Sequence, residues 1–285
     1  MTNWRVTRSA ASDDSPDPTD KEIDMKALGI AATGMLAQQT NVDVISNNIA
    51  NANTTGFKTS RAAFQDLIYE SVSREGVLTS EQGTATPTGI DIGLGVQTAG
   101  TVRLNTQGGL SATENSLDLA IDGTGYFVVN MPDGSRAYTR DGSFRLSAEG
   151  ELVTLQGYSV DPGIVIPENT QNIEISEQGV VMAYVENDPA PVELGRLTLA
   201  TFINEGGMRP VGNNLLEATV ASGDELAANA GDPGVGVIRQ GYLENSNVNI
   251  IQQITDLIAA QRAYEMNSKT IETADQMMST ATRMR

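Results

Sequence analysis

The sequence predicts an α+β fold in which long N- and C-terminal helices pair as a coiled coil and the middle of the chain forms a central antiparallel β domain with an extended β arm. Three observations predict it. Apolar residues recur every seven positions near both termini, short alternating runs separated by turn residues fill the middle, and a Gly-, Thr- and Ser-rich stretch joins the two. With 285 residues, 39% of them apolar, the chain has enough material for an ordinary core in one or two domains.

Residues 1–24 carry Asp13, Asp14, Asp17 and Asp20 with Pro16 and Pro18. So polar a segment buries too little surface to offset its chain entropy, and it reads as a disordered acidic tail or an extension upstream of a start at Met25. From Met25, Leu28, Met35, Val42 and Ile49 form a narrow helical seam with Ala31 and Ile45 beside it. The Asn- and Gly-rich run Asn51-Ala52-Asn53-Thr54-Thr55-Gly56 ends that helix, so 25–56 is a helix with its terminating loop.

Residues 57–107 read as an arm or linker, within which Gly89 to Val96 alternates like a strand and predicts a short hairpin. In the central β domain, 108–228, three hairpins are expected. Tyr126–Asn130 turns at Asp133-Gly134 into Arg136–Thr139, which turns at Asp141-Gly142 into Phe144–Leu146, which turns at Glu149-Gly150 into Leu152–Leu155. Further strands are expected at 173–175, 180–185 and 197–202, and 229–245 returns the chain to its last segment.

That segment, 246–285, holds the longest helical pattern, with Ile250, Leu257, Tyr264, Ile271 and Met278 in one row and Ile254, Ala260, Ala274 and Ala281 beside it. It contains neither Gly nor Pro, and Asn249 with Gln252 is placed to cap it. A helix of this length spans about 52 Å at 1.5 Å per residue. One thin apolar stripe does not stabilise such a helix alone, so both seams are expected to face partner helices and neighbouring subunits.

Composition excludes much chemistry. With no Cys and no His, the chain lacks thiol nucleophiles, thiolate zinc sites and imidazole bases or ligands. Thirty-six acidic against 18 basic residues repel polyphosphates, so no nucleic-acid partner is expected. No run approaches the roughly 20 apolar residues of a membrane span, and the N-terminus has no apolar core of a signal peptide.

Gly123-x-Gly125 resembles half of a phosphate-binding loop but lacks the third Gly and the helix, so a bulge at the start of a strand is expected. Asp118 and Asp122 flank an apolar strand as a glycosidase pair would, yet a solvated strand face accounts for them among so many acids. Asp13 to Asp17 lacks the spacing of a calcium loop. No catalytic, cofactor-binding or metal-binding residue is expected. The competing class is a secreted acidic enzyme working through carboxylates.

The run Ser46 to Lys58 (SNNIANANTTGFK) closely resembles the N-terminal signature of the flagellar rod and hook family. Its signature positions are Asn47, Asn48, Asn51, Asn53, Thr55, Gly56, Phe57 and Lys58. Gln240 to Asn249 (QGYLENSNVN), with Asn247 and Asn249, and Gln261 to Lys269 (QRAYEMNSK), with Gln261, Arg262, Tyr264 and Lys269, resemble the second signature. Tyr138 to Phe144 resembles the family's β hairpin, and the likeness covers Met25 to Arg285.

This resemblance implies a homo-oligomer stacked helically into a hollow axial tube. Length and arm are similar to the distal-rod branch, with a proximal-rod or hook paralogue as the alternative. The implied partners are proximal rod proteins, hook or hook-side proteins, the P and L ring bushing and the flagellar type III export apparatus. The implied place is the basal body, spanning the periplasm toward the outer membrane, reached without a cleaved signal peptide.

If residues 1–24 are a tail, a chain starting at Met25 assembles and supports motility like the parent. Swimming assays of a strain carrying the truncation test this, and lost motility with export intact contradicts it.

Overall fold

A computed structural model describes residues 18–73, 88–185 and 190–283. The chain divides into two compact units, one of residues 1–40, 64–99 and 260–285, the other of residues 41–63 and 100–259. Helix α1 runs Pro18–Ala50 and helix α2 runs Ile250–Arg283, so each contributes to both units. The expected start of the first helix at Met25 is corrected to Pro18. Proline suits a first helical turn because the amide it lacks has no intrahelical partner there. The rest of the acidic tail, including the Asp13 to Asp17 run, lies outside the described residues.

In the first unit, Tyr69–Ser73 pairs antiparallel with Ile90–Gly93, which is the hairpin expected in the arm. Lys26 Nζ meets Glu70 Oε1 at 3.0 Å, and Val96 N donates to Thr33 Oγ1 at 3.4 Å. Gly34 faces α2 at Asn267; a Cβ there would lie 2.9 Å from Asn267 Nδ2. The small residue permits the contact.

The second unit is a β body around the strand Tyr126–Asn130. This strand pairs with Arg136–Thr139 on one side and with Ser159–Val160 and Thr198–Thr201 on the other, in a nine-stranded sheet. Alternation along the strand feeds separate cores. Tyr126 and Val128 pack with Tyr138, Phe202 and Met208, whereas Phe127 packs with Leu119, Ile121, Phe144 and Leu199. A strand buried on both faces must be apolar throughout, which explains the unbroken YFVV.

The Asp133-Gly134 and Glu149-Gly150 hairpins form as expected, the latter pairing Arg145–Leu146 with Leu152–Val153. The Asp141-Gly142 hairpin does not. Arg136–Thr139 pairs instead with Leu215–Glu217, and Asp141 Oδ1 accepts from both Ser143 N and Ser143 Oγ, turning the chain locally rather than folding it back. A three-stranded sheet of Thr170–Ile175, Val180–Val185 and Val192–Arg196 is tied on by Gln240, whose Nε2 donates to Ile173 O and whose Oε1 accepts from Ile175 N.

Two ribbons join the return of the chain to the body: Val237–Gln240 pairs with Leu119–Asp122, and Tyr242–Glu244 pairs with Leu110–Ala112. Gly123 marks the first crossing. Its φ of 119° and the Gly236 Cα, 2.7 Å from where a Cβ would sit, leave room only for glycine. A strand, not a helix, follows Gly125.

Phe144 has no solvent exposure and meets Phe127 edge-on at 5.1 Å between centroids. Phe144→Ala is expected to destabilise the β body by about 3–5 kcal/mol. Urea unfolding of the purified chain measures it, and an unchanged midpoint contradicts this packing.

Candidate functional site

The residues with the most unusual environments gather where the end of α1, the start of α2 and the β body meet within the second unit. Asn48 stands in the last turn of α1 with 1% exposure. Its Nδ2 donates to Ser60 O at 2.7 Å and to Gln253 Oε1 at 2.9 Å, while its Oδ1 accepts from Ser60 N at 2.9 Å. One amide thus starts the strand Ser60–Asp66 and reaches α2. Asn51 instead finishes its own helix, donating to Asn47 O and accepting from Thr54 Oγ1.

The loop then turns at Gly56, with φ at 68° and the backbone of Arg140 and Asp141 only 2.8 Å from where a Cβ would sit. Gly56 N donates to Glu244 O at 2.8 Å, and Thr55 O accepts from Asn214 Nδ2 at 3.1 Å. The next residues enter a charged centre. Lys58 Nζ donates to Glu244 Oε1 at 2.6 Å and to Thr106 O at 2.9 Å, Glu244 Oε1 accepts from Gly108 N at 2.9 Å, and Arg140 Nη1 lies 3.4 Å from Glu244 Oε2.

All three charges are withdrawn from water, with side-chain exposures of 5% for Lys58, 5% for Arg140 and 0% for Glu244. Burial lowers the Lys58 ammonium below the usual lysine value, and the hydrogen bond and charge of Glu244 oppose that shift. Arg140 also lies 5.2 Å above the Tyr126 ring, and the Tyr126 hydroxyl donates to Glu205 Oε2 at 3.0 Å.

Asn247 completes the junction. Its Oδ1 accepts from Thr59 N at 2.7 Å and Thr59 Oγ1 at 2.8 Å, and its Nδ2 donates to Leu104 O and Thr106 O, both at 2.9 Å. Two residues on, Asn249 Oδ1 accepts from Gln252 N at 3.2 Å, the expected cap of α2. The junction therefore joins the segment after α1 to the segment before α2 through side-chain hydrogen bonds.

The signature residues divide. Asn48, Asn51, Thr55, Gly56, Phe57, Lys58, Asn247 and Asn249 come together here, Phe57 through its carbonyl to Asn247 N. Asn47 and Asn53 are exposed at the helix end, and Gln261, Arg262, Tyr264 and Lys269 are exposed along α2. Of the seam residues, Leu28, Met35, Val42, Ile49, Leu257, Ile271 and Met278 are half-buried, while Ile250 and Tyr264 are each 44% exposed. The buried positions beside those rows are mostly small, Ala31, Ala260 and Ala274, with Ile45 the one large side chain among them. Glu244 and Arg140 are functional residues that sequence reasoning does not single out, although a lysine just after Phe57 needs an acid once buried.

Asp118 and Asp122 do not form a catalytic pair. Asp122 is held below the usual carboxylate range by its hydrogen bond to Arg239, the opposite of what a proton donor needs. Asp118 is 6% exposed and accepts from Asn115 Nδ2 at 2.7 Å, so the solvated-face reading is corrected for it: the backbone turn at Asn115 folds over it.

Asn247→Ala leaves the part-buried Thr59 amide without its partner and takes from Leu104 O and Thr106 O a donor that water can partly replace, and it is expected to cost about 1–3 kcal/mol. Asn247→Asp keeps the acceptor and restores part of the loss. Urea unfolding compares them, and equal stability of parent and Asn247→Ala contradicts the clamp.

Three family models match this chain: flagella basal body rod protein at residues 28–58, the flagellar hook protein FlgE/F/G D1 domain at residues 120–183, and the flagellar basal body rod FlgEFG protein C-terminal at residues 239–284. The flagellar basal-body rod protein FlgG of Caulobacter vibrioides is 49% identical over 261 residues, covering 92% of this chain and all of that one. The FlgG proteins of Agrobacterium fabrum and Bacillus subtilis are 51% and 37% identical, over 90% and 89% of this chain and 97% of each of theirs. With its two helix ends, its signature loop and its β body all matched in this way, the chain belongs to the FlgG family of flagellar basal-body rod proteins, a structural and not an enzymatic family.

Proposed function

We propose that this chain is the subunit of the distal rod, polymerising helically into a rigid hollow shaft that carries motor torque to the hook and serves as an export channel. The carrying observation is the uncovered face of α2. Ile250, Ile251, Ile254 and Ile258 are 44–80% exposed in the single chain, and Tyr264, Met266 and Met277 continue the exposure along the helix. Four isoleucines over less than three turns leave an apolar surface that water disfavours and a neighbouring subunit would cover.

A paired arrangement of the two helices belongs to the same reading. Gly34 meets Asn267 and Asn48 meets Gln253, so the contacts advance from 34 to 48 on α1 as they recede from 267 to 253 on α2. Equal spacing in opposite directions, with the small residues Ala31, Ala37, Ala260 and Ala274 all buried, supports close antiparallel packing. The neighbours along the axis would be proximal rod proteins on one side and hook-side proteins on the other. The P and L rings would surround the shaft in the periplasm, with delivery through the type III export apparatus.

Ile254→Ser combined with Ile258→Ser is expected to lower the yield of sedimentable polymer at least about tenfold while the unfolding midpoint of the unassembled chain stays within error. Glu149→Ala, at an exposed turn, should assemble like the parent. Equal polymer yields from the Ser variant and the parent would remove the assembly reading.

A further inference from the structure

Beside the buried Glu244 centre, a cleft of about 470 Å³ opens on the surface of the second unit, walled by Lys58, Arg103, Arg140, Tyr126, Asn47 and Asn213 among others. Its wall is unusual for this chain. The sequence holds 36 acidic and 18 basic residues, yet among the described residues three cations and no Asp or Glu line the cleft. The acids close by are already engaged: Glu244 with Lys58 and Arg140, Glu205 with the Tyr126 hydroxyl, and Asp141 with Ser143 and Asn214.

The guanidinium groups are not fully used. Arg103 spends one nitrogen on Met208 O at 3.0 Å and Arg140 one on Glu244, while the Nε of each is buried with no hydrogen-bond partner. Arg140 is 5% exposed and Arg103 is half-buried. An arginine buried short of acceptors is costly, and a planar carboxylate is the group whose two oxygens match the guanidinium fork. Burial lowers the Arg103 guanidinium below its ordinary value, an effect an incoming anion would reverse.

We propose that this cleft receives a carboxylate from a second copy of this chain, an exposed Asp or Glu seated against Arg103 and Arg140 when subunits stack. The inference rests on the assembly reading and adds to it a polar key beside the apolar face of α2. A chain with a net charge of −18 repels its own copies, so a cation-lined recess without acids of its own is the place where a neighbour's carboxylate turns repulsion into attraction. The neighbour, having twice as many acids as bases, offers such groups across its surface.

Zero-length crosslinking tests this directly. Arg103→Lys keeps the charge and places an amine in the cleft, which a carbodiimide couples only to a carboxylate in contact with it. Polymer is assembled from equal parts of unlabelled and nitrogen-15-labelled subunits, crosslinked, digested and read by mass spectrometry. The expected result is a mixed-isotope crosslink between the introduced amine and an Asp or Glu of another copy. Arg103→Gln is expected to reduce polymer yield at least about tenfold. Thr101→Lys, on the exposed rim of the same cleft, gives the crosslinking readout where Arg103→Lys does not fold. Normal polymer whose introduced amines crosslink only within their own chain, or not at all, would overturn the proposal. Failure of the parent chain itself to polymerise would overturn the assembly reading, and this inference with it.

Discussion

Glu244 is fully buried and lies between two cations that reach it from distant parts of the chain, Lys58 and Arg140. Its main-chain carbonyl receives Gly56 N, its carboxylate receives Gly108 N, and its neighbour Asn245 N donates to Gly109 O. The loop after α1, the strand after the arm and the strand before α2 are thereby set around one residue. A buried ion group of this kind gives little net stability over a well-packed apolar replacement, but removing one member strands the others and costs about 3–5 kcal/mol. Its physical effect is therefore to tie Lys58 and Arg140 to one carboxylate, so that loss of any member is felt by the others.

That constraint governs what the helices present. Asn48 and Asn249 are fixed by their bonds to Ser60, Gln253 and Gln252, so the direction in which α1 leaves and α2 enters the β body is set by side-chain geometry. The rotation of α2 about its own axis follows from Ala260 and Ala274 facing inward, which leaves Ile251, Ile254 and Ile258 outward. An assembling subunit needs its adhesive face to be apolar yet fixed in orientation, because each mismatch would repeat at every lattice position. The neighbouring cleft, cationic in an acidic chain, extends the same logic from apolar to polar contact.

Much of this was legible in the sequence. Seven-residue periodicity located both helices, Asn249 announced the cap of α2, and Asp133-Gly134 and Glu149-Gly150 marked hairpins, because each of these signals acts over a few residues. Most of the failures have one physical origin, cover or competition from residues far along the chain. Periodicity identifies an apolar face without saying what covers it, so Ile250 and Tyr264 fit the seam yet stay open in the single chain. Asp141-Gly142 has hairpin chemistry, but Leu215–Glu217 competes for the edge of Arg136–Thr139 and wins. Lys58 and Glu244 stand 186 residues apart, and no local pattern relates them. Asp118 looked solvated because the turn that buries it is made by Asn115 only three residues away, through a side-chain bond that composition does not register.

The claim that one buried carboxylate couples the two ends of the chain is tested most directly by a double-mutant cycle on Lys58→Met and Glu244→Gln, read by urea unfolding with hydrogen exchange of the same variants. The account predicts that the single changes are each strongly destabilising, that the double change costs less than their sum by at least about 1 kcal/mol, and that Glu244→Gln removes amide protection at 56–60 and 244–249 together. Additive costs, with protection lost at only one of those segments, would contradict it.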